Sequence, residues 1–246
     1  MKSSSLFLLY THMYNIVAID PSLISTAIVV FNGEQIKIFN YCRQSAAEGK
    51  SGLKKWFKLA EEHIQYKYIE YGEYENYSEG EIKKLTDYDK VTNQIIEDIL
   101  VHINSDFETK VGIEGYSFSS AAGDIIDLVT FSTLLRKKVL DYVSKDITVL
   151  SPSTLKLEAC KLTYPAKDVG KKKEKLEWRN HLGISGGNFT KREICLSIIE
   201  NAEWSDKWTK HIQEIKSDIL NITTIPKPYE DVNDSFILFK YLQKMI

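Results

Sequence analysis

Four carboxylates in this chain stand where a backbone element ends or begins. Asp20 closes the apolar, partly β-branched run Ile16-Val17-Ala18-Ile19 and is followed by Pro21-Ser22, a turn signal. Glu114 closes a second such run, Val111-Gly112-Ile113, and is followed by Gly115. Asp231 and Asp234 follow Pro226 and Pro228 and open a stretch in which Val232, Phe236, Leu238, Phe239 and Leu242 suit a closing helix packed on a sheet. Their spacing of three puts both on one side of that helix, at the positive end of its dipole. Singly, each has an ordinary reading: a strand-end Asp forms turns, and DxxD caps helices. Brought together, four carboxylates repel one another strongly and are costly unless cations lie between them. Hard, oxygen-seeking Mg²⁺ or Mn²⁺ is the natural counterion.

The elements that must position these groups read as an α/β pattern. The strand ending at Asp20 is followed by Thr26 to Phe31, a Gly33-Glu34 turn and Gln35 to Tyr41, an antiparallel meander. Leu53, Trp56, Phe57, Ala60 and Ile64 have helical spacing. Ile82 to Ile103 reads as a long amphipathic helix with Leu85, Val91, Ile95, Ile99 and Ile103 on or near one face. After Glu114 come a small-residue loop, Ser117 to Gly123, a helix from about Asp124 to Val143, and a strand from Ile147 to Leu150. Lys191 to Ala202 and Asp206 to Leu220 read as further helices. The order implies a mixed sheet flanked by helices.

Composition bounds the partners. The chain has 246 residues, 43% hydrophobic and 27% charged, with a net charge of −2, so any polyanion must be met by a local patch. Residues 61–81 carry seven Glu and one Lys, which suits a solvated insertion or a protein contact and not a phosphate backbone. Residues 154–192 carry ten Lys or Arg, including Lys171-Lys172-Lys173-Glu174-Lys175. Cys42, Cys160 and Cys195 are far apart and form no CxxC, which argues against a disulfide framework and a zinc site and fits a reducing compartment. The apolar patch Leu6 to Tyr10 is too short for a signal-peptide core, and no stretch reaches membrane-span length. The expectation is one domain over 1–246, in the cytoplasm. It has an N-terminal extension (1–13), an acidic insertion (about 61–81) and a helical insertion (about 176–225).

On the strand with Asp20-Pro21-Ser22, the segment Gly112-Ile113-Glu114-Gly115-Tyr116-Ser117-Phe118, the strand and basic region from Ile147, and Asp231-x-x-Asp234, the sequence resembles the RuvC family of Holliday-junction resolvases, within the RNase H-like superfamily. These segments occur in the family's order and span under half the chain. The resemblance implies an RNase H-like fold with a mixed five-stranded sheet, three antiparallel then two parallel strands. It implies that Asp20, Glu114, Asp231 and Asp234 are catalytic and hold two divalent ions, Mg²⁺ or Mn²⁺. On that expectation Asp20 bridges both ions, Glu114 and Asp234 serve one each, and Asp231 positions an ion or its water. Glu230 is an alternative to Asp231. A two-ion site can generate the attacking hydroxide and stabilise the leaving 3′ oxygen of a phosphodiester.

The resemblance also places Tyr116 and Phe118 where the family carries an aromatic that disturbs base stacking. For Phe118 a core position at the start of a helix fits as well. Lys156, Lys171, Lys172, Lys173 and Lys175 match the family's lysine-bearing region and can neutralise phosphates, although solvated lysine runs are common. The implied activity is metal-dependent, structure-selective cleavage of four-way or other branched DNA by a homodimer. The alternatives are an RNase H-like nuclease acting on flaps, replication intermediates or RNA–DNA hybrids, and a non-catalytic DNA-binding scaffold. An actin-like ATPase would need glycine-rich phosphate loops, which the first hundred residues lack. The chain departs from the family in its extra length, and in Pro21-Ser22 where the family has Gly. Divergent resolvases with such insertions are often phage-encoded, which would make the compartment the host cytoplasm. Trp178, Trp204 and Trp208 lie in the helical insertion and suit a core or a dimer surface.

Overall fold

Strand β1 (Tyr14–Asp20) is buried from Asn15 onward because both of its faces are covered. Ile16 and Ala18 join one apolar cluster, and Val17 and Ile19 join another. A strand covered on both sides reads as a continuous apolar run, which is why the sequence shows no polar alternation there. The computed structural model describes residues 13–44, 51–116, 122–163, 190–222 and 224–246.

The remaining strands are β2 (Ser25–Phe31), β3 (Ile36–Arg43), β4 (Gln65–Ile69), β5 (Glu108–Glu114) and β6 (Ile147–Leu150). They form one sheet in the order β4-β3-β2-β1-β5-β6. Strand β2 is antiparallel to both β1 and β3, while β4 is parallel to β3, and β5 and β6 continue parallel to β1. All strands except β2 therefore point their C-terminal ends to the same edge.

The sheet has six strands where the sequence implied five. The extra strand, β4, comes from the acidic, tyrosine-rich segment expected to be a solvated insertion. Its residues Tyr66 and Tyr68 suit a pleated surface, and its position at the sheet edge leaves it mostly accessible, so only Ile69 is buried. Lys67 is tied to Asp98 at 3.2 Å, and Asp98 also accepts a hydrogen bond from the Tyr41 hydroxyl at 2.6 Å.

Two helical layers cover the sheet. On one side lie α2 (Tyr77–His102) and α3 (Ala122–Lys138), the latter running into a wider π turn over Val139–Val143. Helix α2 starts five residues before the expected Ile82, because the Asn76 side chain caps it by accepting from Glu79 N at 3.0 Å. Leu85, expected on the apolar face, is exposed. On the other side lie α1 (Ser51–Leu59), α4 (Pro152–Thr163), α5 (Lys191–Glu200), α6 (Lys207–Glu214), α7 (Lys216–Leu220) and α8 (Tyr229–Met245). The expected helix over 206–220 is two helices broken at Ile215, and α4 was not anticipated within the basic stretch.

The described part of the helical insertion belongs to the main core: Ile194, Cys195, Ile198, Trp208 and Ile212 pack with α8 and β1. Trp208 is buried and donates from Nε1 to Asn233 Oδ1 at 3.0 Å, and the half-buried Trp204 packs edge-on against Phe236. Trp178 lies outside the described residues, as do residues 1–12 of the N-terminal extension. Among the described residues, no helix is long and apolar enough to cross a membrane.

Helix α8 is buried along most of its length and lies directly on β5. A Cβ on Gly112 would sit 2.8 Å from Leu238 Cγ and 2.9 Å from Leu242 Cδ1, so only glycine permits this approach. Gly112→Ala is expected to destabilise the protein by about 1–3 kcal/mol, the usual cost of overpacking. Urea unfolding measures it. The double variant Gly112→Ala/Leu238→Ala should be less unstable than the two single effects added, since the second change removes the clash.

Candidate metal centre

The register of β1 on β5 sets two carboxylates side by side. Ile19 pairs with Ile113, so the next residues, Asp20 and Glu114, leave the sheet as neighbours. By strand alternation Asp20 lies on the face of Ile16 and Ala18, and Glu114 on the face of Gly112. That is the face covered by α8. On α8, Asp234, Leu238 and Leu242 follow one another at intervals of four and form a single stripe. The two leucines rest over Gly112, and Asp234 reaches the strand ends one turn earlier. Asp20, Glu114 and Asp234 each offer an oxygen, and the three oxygens lie within 4.8 Å of one another.

All three groups are buried, Asp234 completely. Burial pushes the Asp20 carboxyl well above the usual carboxylate range, and the neighbouring Glu114 charge and a hydrogen bond with Glu114 push it further. Lys191 pulls it down, and Asp231 adds a smaller upward push.

Asp231 is buried beside this group but outside the set of three, and its Oδ1 pairs with Lys227 one turn back. Burial draws the Lys227 ammonium down, but Asp231 outweighs it, with smaller help from Glu230 and Asp20, and the net shift is upward. Lys191, the first residue of α5, is ion-paired with Asp234. Its place is fixed by a capping box in which the Glu193 carboxylate accepts from Thr190 N. Asp234 Oδ1 and Asp231 Oδ2 are buried without a hydrogen-bond partner among the described residues, while Asp234 Oδ2 takes the Lys191 ammonium. Glu230, the alternative to Asp231, is half-buried next to it on α8.

Lys191 and Lys227 were not singled out in the sequence. Lys227 stands four residues before Asp231, a legible ion-pair spacing, whereas nothing local ties Lys191 to a residue more than forty positions away. Arg136 on α3 is a third such group. It donates from Nη2 to Glu114 O at 3.3 Å, and its guanidinium lies 4.3 Å from the centre of the Tyr116 ring. Tyr116 is further held by a 3.2 Å hydrogen bond between its hydroxyl and Thr133 Oγ1. Lys156 sits half-buried on α4. Phe118, Lys171, Lys172, Lys173 and Lys175 lie outside the described residues.

The donor set fits a hard divalent cation: it is all carboxylate, buried, crowded and short of hydrogen bonds. Its cost in the absence of a cation has a definite sign. The folded Asp20 carboxyl keeps its proton to higher pH than the unfolded one, so ionising it opposes folding. The penalty is absent below the unfolded pKa, grows as pH rises through the folded pKa, and is fully present above it. Asp20→Asn should therefore raise metal-free stability at neutral pH by on the order of 1 kcal/mol, the expected gain from removing one of several crowded charges. Mn²⁺ at about a hundred times its Kd should stabilise the wild type by about 2.7 kcal/mol and Asp20→Asn far less. Thermal melts with EDTA and with Mn²⁺ check both.

No protein-family model matches the chain, and no curated protein matches it in sequence. Among solved structures it is similar to RuvC of T. thermophilus in complex with Holliday junction substrate, at a TM-score of 0.45 and 8% identity over 94% of this chain and 96% of that one. A second Thermus thermophilus RuvC structure gives 0.43 and 9% over the same shares. The yeast mitochondrial Holliday junction resolvase Ydc2 gives 0.39 and 10% over 93% of this chain and 77% of that one. The strand order β4-β3-β2-β1-β5-β6, with helices on both faces of a mixed sheet, is the α/β arrangement that the sequence implied, with one edge strand added.

Proposed function

We propose that the chain is a divalent-cation-dependent endonuclease that hydrolyses phosphodiester bonds in branched DNA, four-way junctions foremost, leaving 5′-phosphate ends. The observation that carries this reading is the buried triad Asp20, Glu114 and Asp234, whose oxygens converge within 4.8 Å at the ends of two strands and the start of a helix. A purely structural role gives no reason to bury three mutually repelling carboxylates together.

Asp20, Glu114 and Asp234 would hold Mg²⁺ or Mn²⁺, with Asp231 able to take part once released from Lys227. Two such ions, when bound, would activate a water as nucleophile and stabilise the leaving 3′ oxygen. The protein's own groups supply the rest. The β1–β5 register and the Gly112 contact fix the carboxylates in place. Lys191 and Lys227 balance their charge and would offer ammonium groups to a phosphate. Tyr116, held by Thr133 and Arg136 beside Glu114, would meet a base next to the scissile bond. A homodimer would present two such sites to a four-way junction, and a sizing measurement decides that point separately.

A synthetic four-way junction, beside duplex, flap and RNA–DNA hybrid controls, tests the reading with Mg²⁺ or Mn²⁺. The wild type should cut the junction in preference to the controls. Glu114→Gln should abolish cutting and leave junction binding intact. Binding without cutting by the wild type in either metal would overturn the enzyme reading, and preferential cutting of hybrids would change the substrate.

A further inference from the structure

A cavity of about 630 Å³ opens two residues beyond Asp20 at Ser22, on the α2 and α3 side of the sheet. Its aromatic wall is layered. Tyr88 of α2 stands edge-on to the core residue Phe131, at 5.9 Å and 80°, and Tyr71 stands edge-on to Tyr88 at 5.8 Å and 83°. The guanidinium of Arg43, at the end of β3, lies 4.6 Å from the centre of the Tyr71 ring. Tyr74 lines the cavity from the loop between β4 and α2.

That loop is fixed in place. Gly72 N donates to Asp87 Oδ2 at 2.9 Å. Tyr74 lies so close to α2 that a Cβ on Gly80 would be 3.4 Å from its Cβ and Cγ. The charges lining the cavity are Arg43 and Lys84 against Glu73 and Asp127, and Lys84 is paired with Asp127 at 3.0 Å. The lining is therefore neutral in sum, which disfavours a phosphate. The planar rings, the stacked guanidinium and the carboxylate at the rim suit a flat, uncharged ligand with donors and acceptors on its edge. A nucleobase has that chemistry, and stacking on aromatic and guanidinium planes is how proteins hold unpaired bases.

We propose that this cavity binds one unpaired nucleobase of the DNA strand whose phosphodiester lies at Asp20, stacked on Arg43 and Tyr74 with its edge toward Asp127. The proposal rests on the nuclease reading for the identity of the strand. It explains why an acidic, tyrosine-rich loop stands beside a site for a polyanion: the loop takes a base and the backbone passes elsewhere. A strand with an unpaired base next to the cut is what a branch point offers and a continuous duplex does not.

A short single strand carrying 5-iodouracil, irradiated with the full-length protein in Ca²⁺, tests this directly, because the cross-link reports which side chain faces the base. Cross-links mapped by mass spectrometry to Tyr71, Tyr74 or Tyr88 are expected. Tyr74→Ala and Arg43→Ala should each weaken binding of the strand about fivefold to a hundredfold, the range for losing one stacking partner. Tyr74→Phe, which keeps the ring, should bind as the wild type does. Cross-links only at other positions, no cross-link at all, or unchanged affinity in both alanine variants would overturn the proposal. Competition by a free nucleoside monophosphate as strong as by the strand would overturn the strand as the occupant. The test does not need cleavage: cross-links at these tyrosines in a protein that cuts no branched DNA would sink the nuclease reading and leave the base site standing.

Discussion

The contact between Gly112 and the Leu238–Leu242 stripe sets the distance between α8 and the sheet, and the candidate metal centre depends on that distance. Asp234 is one turn from Leu238, so lifting the helix by the thickness of a methyl group would withdraw its carboxylate from Asp20 and Glu114. A buried carboxylate out of reach of its partners keeps the full desolvation cost and could no longer share a cation with them. Core packing and site geometry are therefore one constraint, expressed at a single glycine.

Electrostatics around the centre divide between groups that repel and groups that hold the repulsion in check. Burial and the Glu114 charge beside it push the Asp20 carboxyl up, Asp234 leans on Lys191, and Asp231 leans on Lys227. Two ammonium groups on flexible stems thus face four acids, leaving room for added positive charge. The arrangement stores destabilisation at the strand ends, and the apolar packing of β1, β5 and α8 offsets it. The cavity lined by Arg43 and Tyr74 is neutral in sum, so the crowded charge lies at the strand ends and not there.

Strands β1, β2, β3, β5 and β6 are legible in the sequence because each is an apolar or alternating run bounded by turn residues. Strand β4 is not, because an edge strand buries little and its tyrosines and acids look the same in a loop. The break at Ile215 and the early start of α2 depend on local capping and on what each segment packs against, and periodicity registers neither. The same limit applied to the insertion containing Trp208: a segment with no partner in sequence turned out to line the main core, held there by a hydrogen bond to Asn233 on α8.

Sequence alone determined the inventory of the candidate metal centre: a strand-end Asp, a strand-end Glu and a DxxD at a helix start, residue types that suit hard cations. Tertiary structure decided which of them meet. The parallel register joins Asp20 to Glu114, and the close approach at Gly112 brings in Asp234. The pairing with Lys227 leaves Asp231 beside the group of three and not within it. It also decided the counter-charges and the aromatic cavity, since Lys191, Arg43, Tyr74 and Asp127 come from separate elements. Local spacing fixes what lies on one face of one element. Contacts between elements far apart in the chain follow from how their faces pack, and no short stretch of sequence records that.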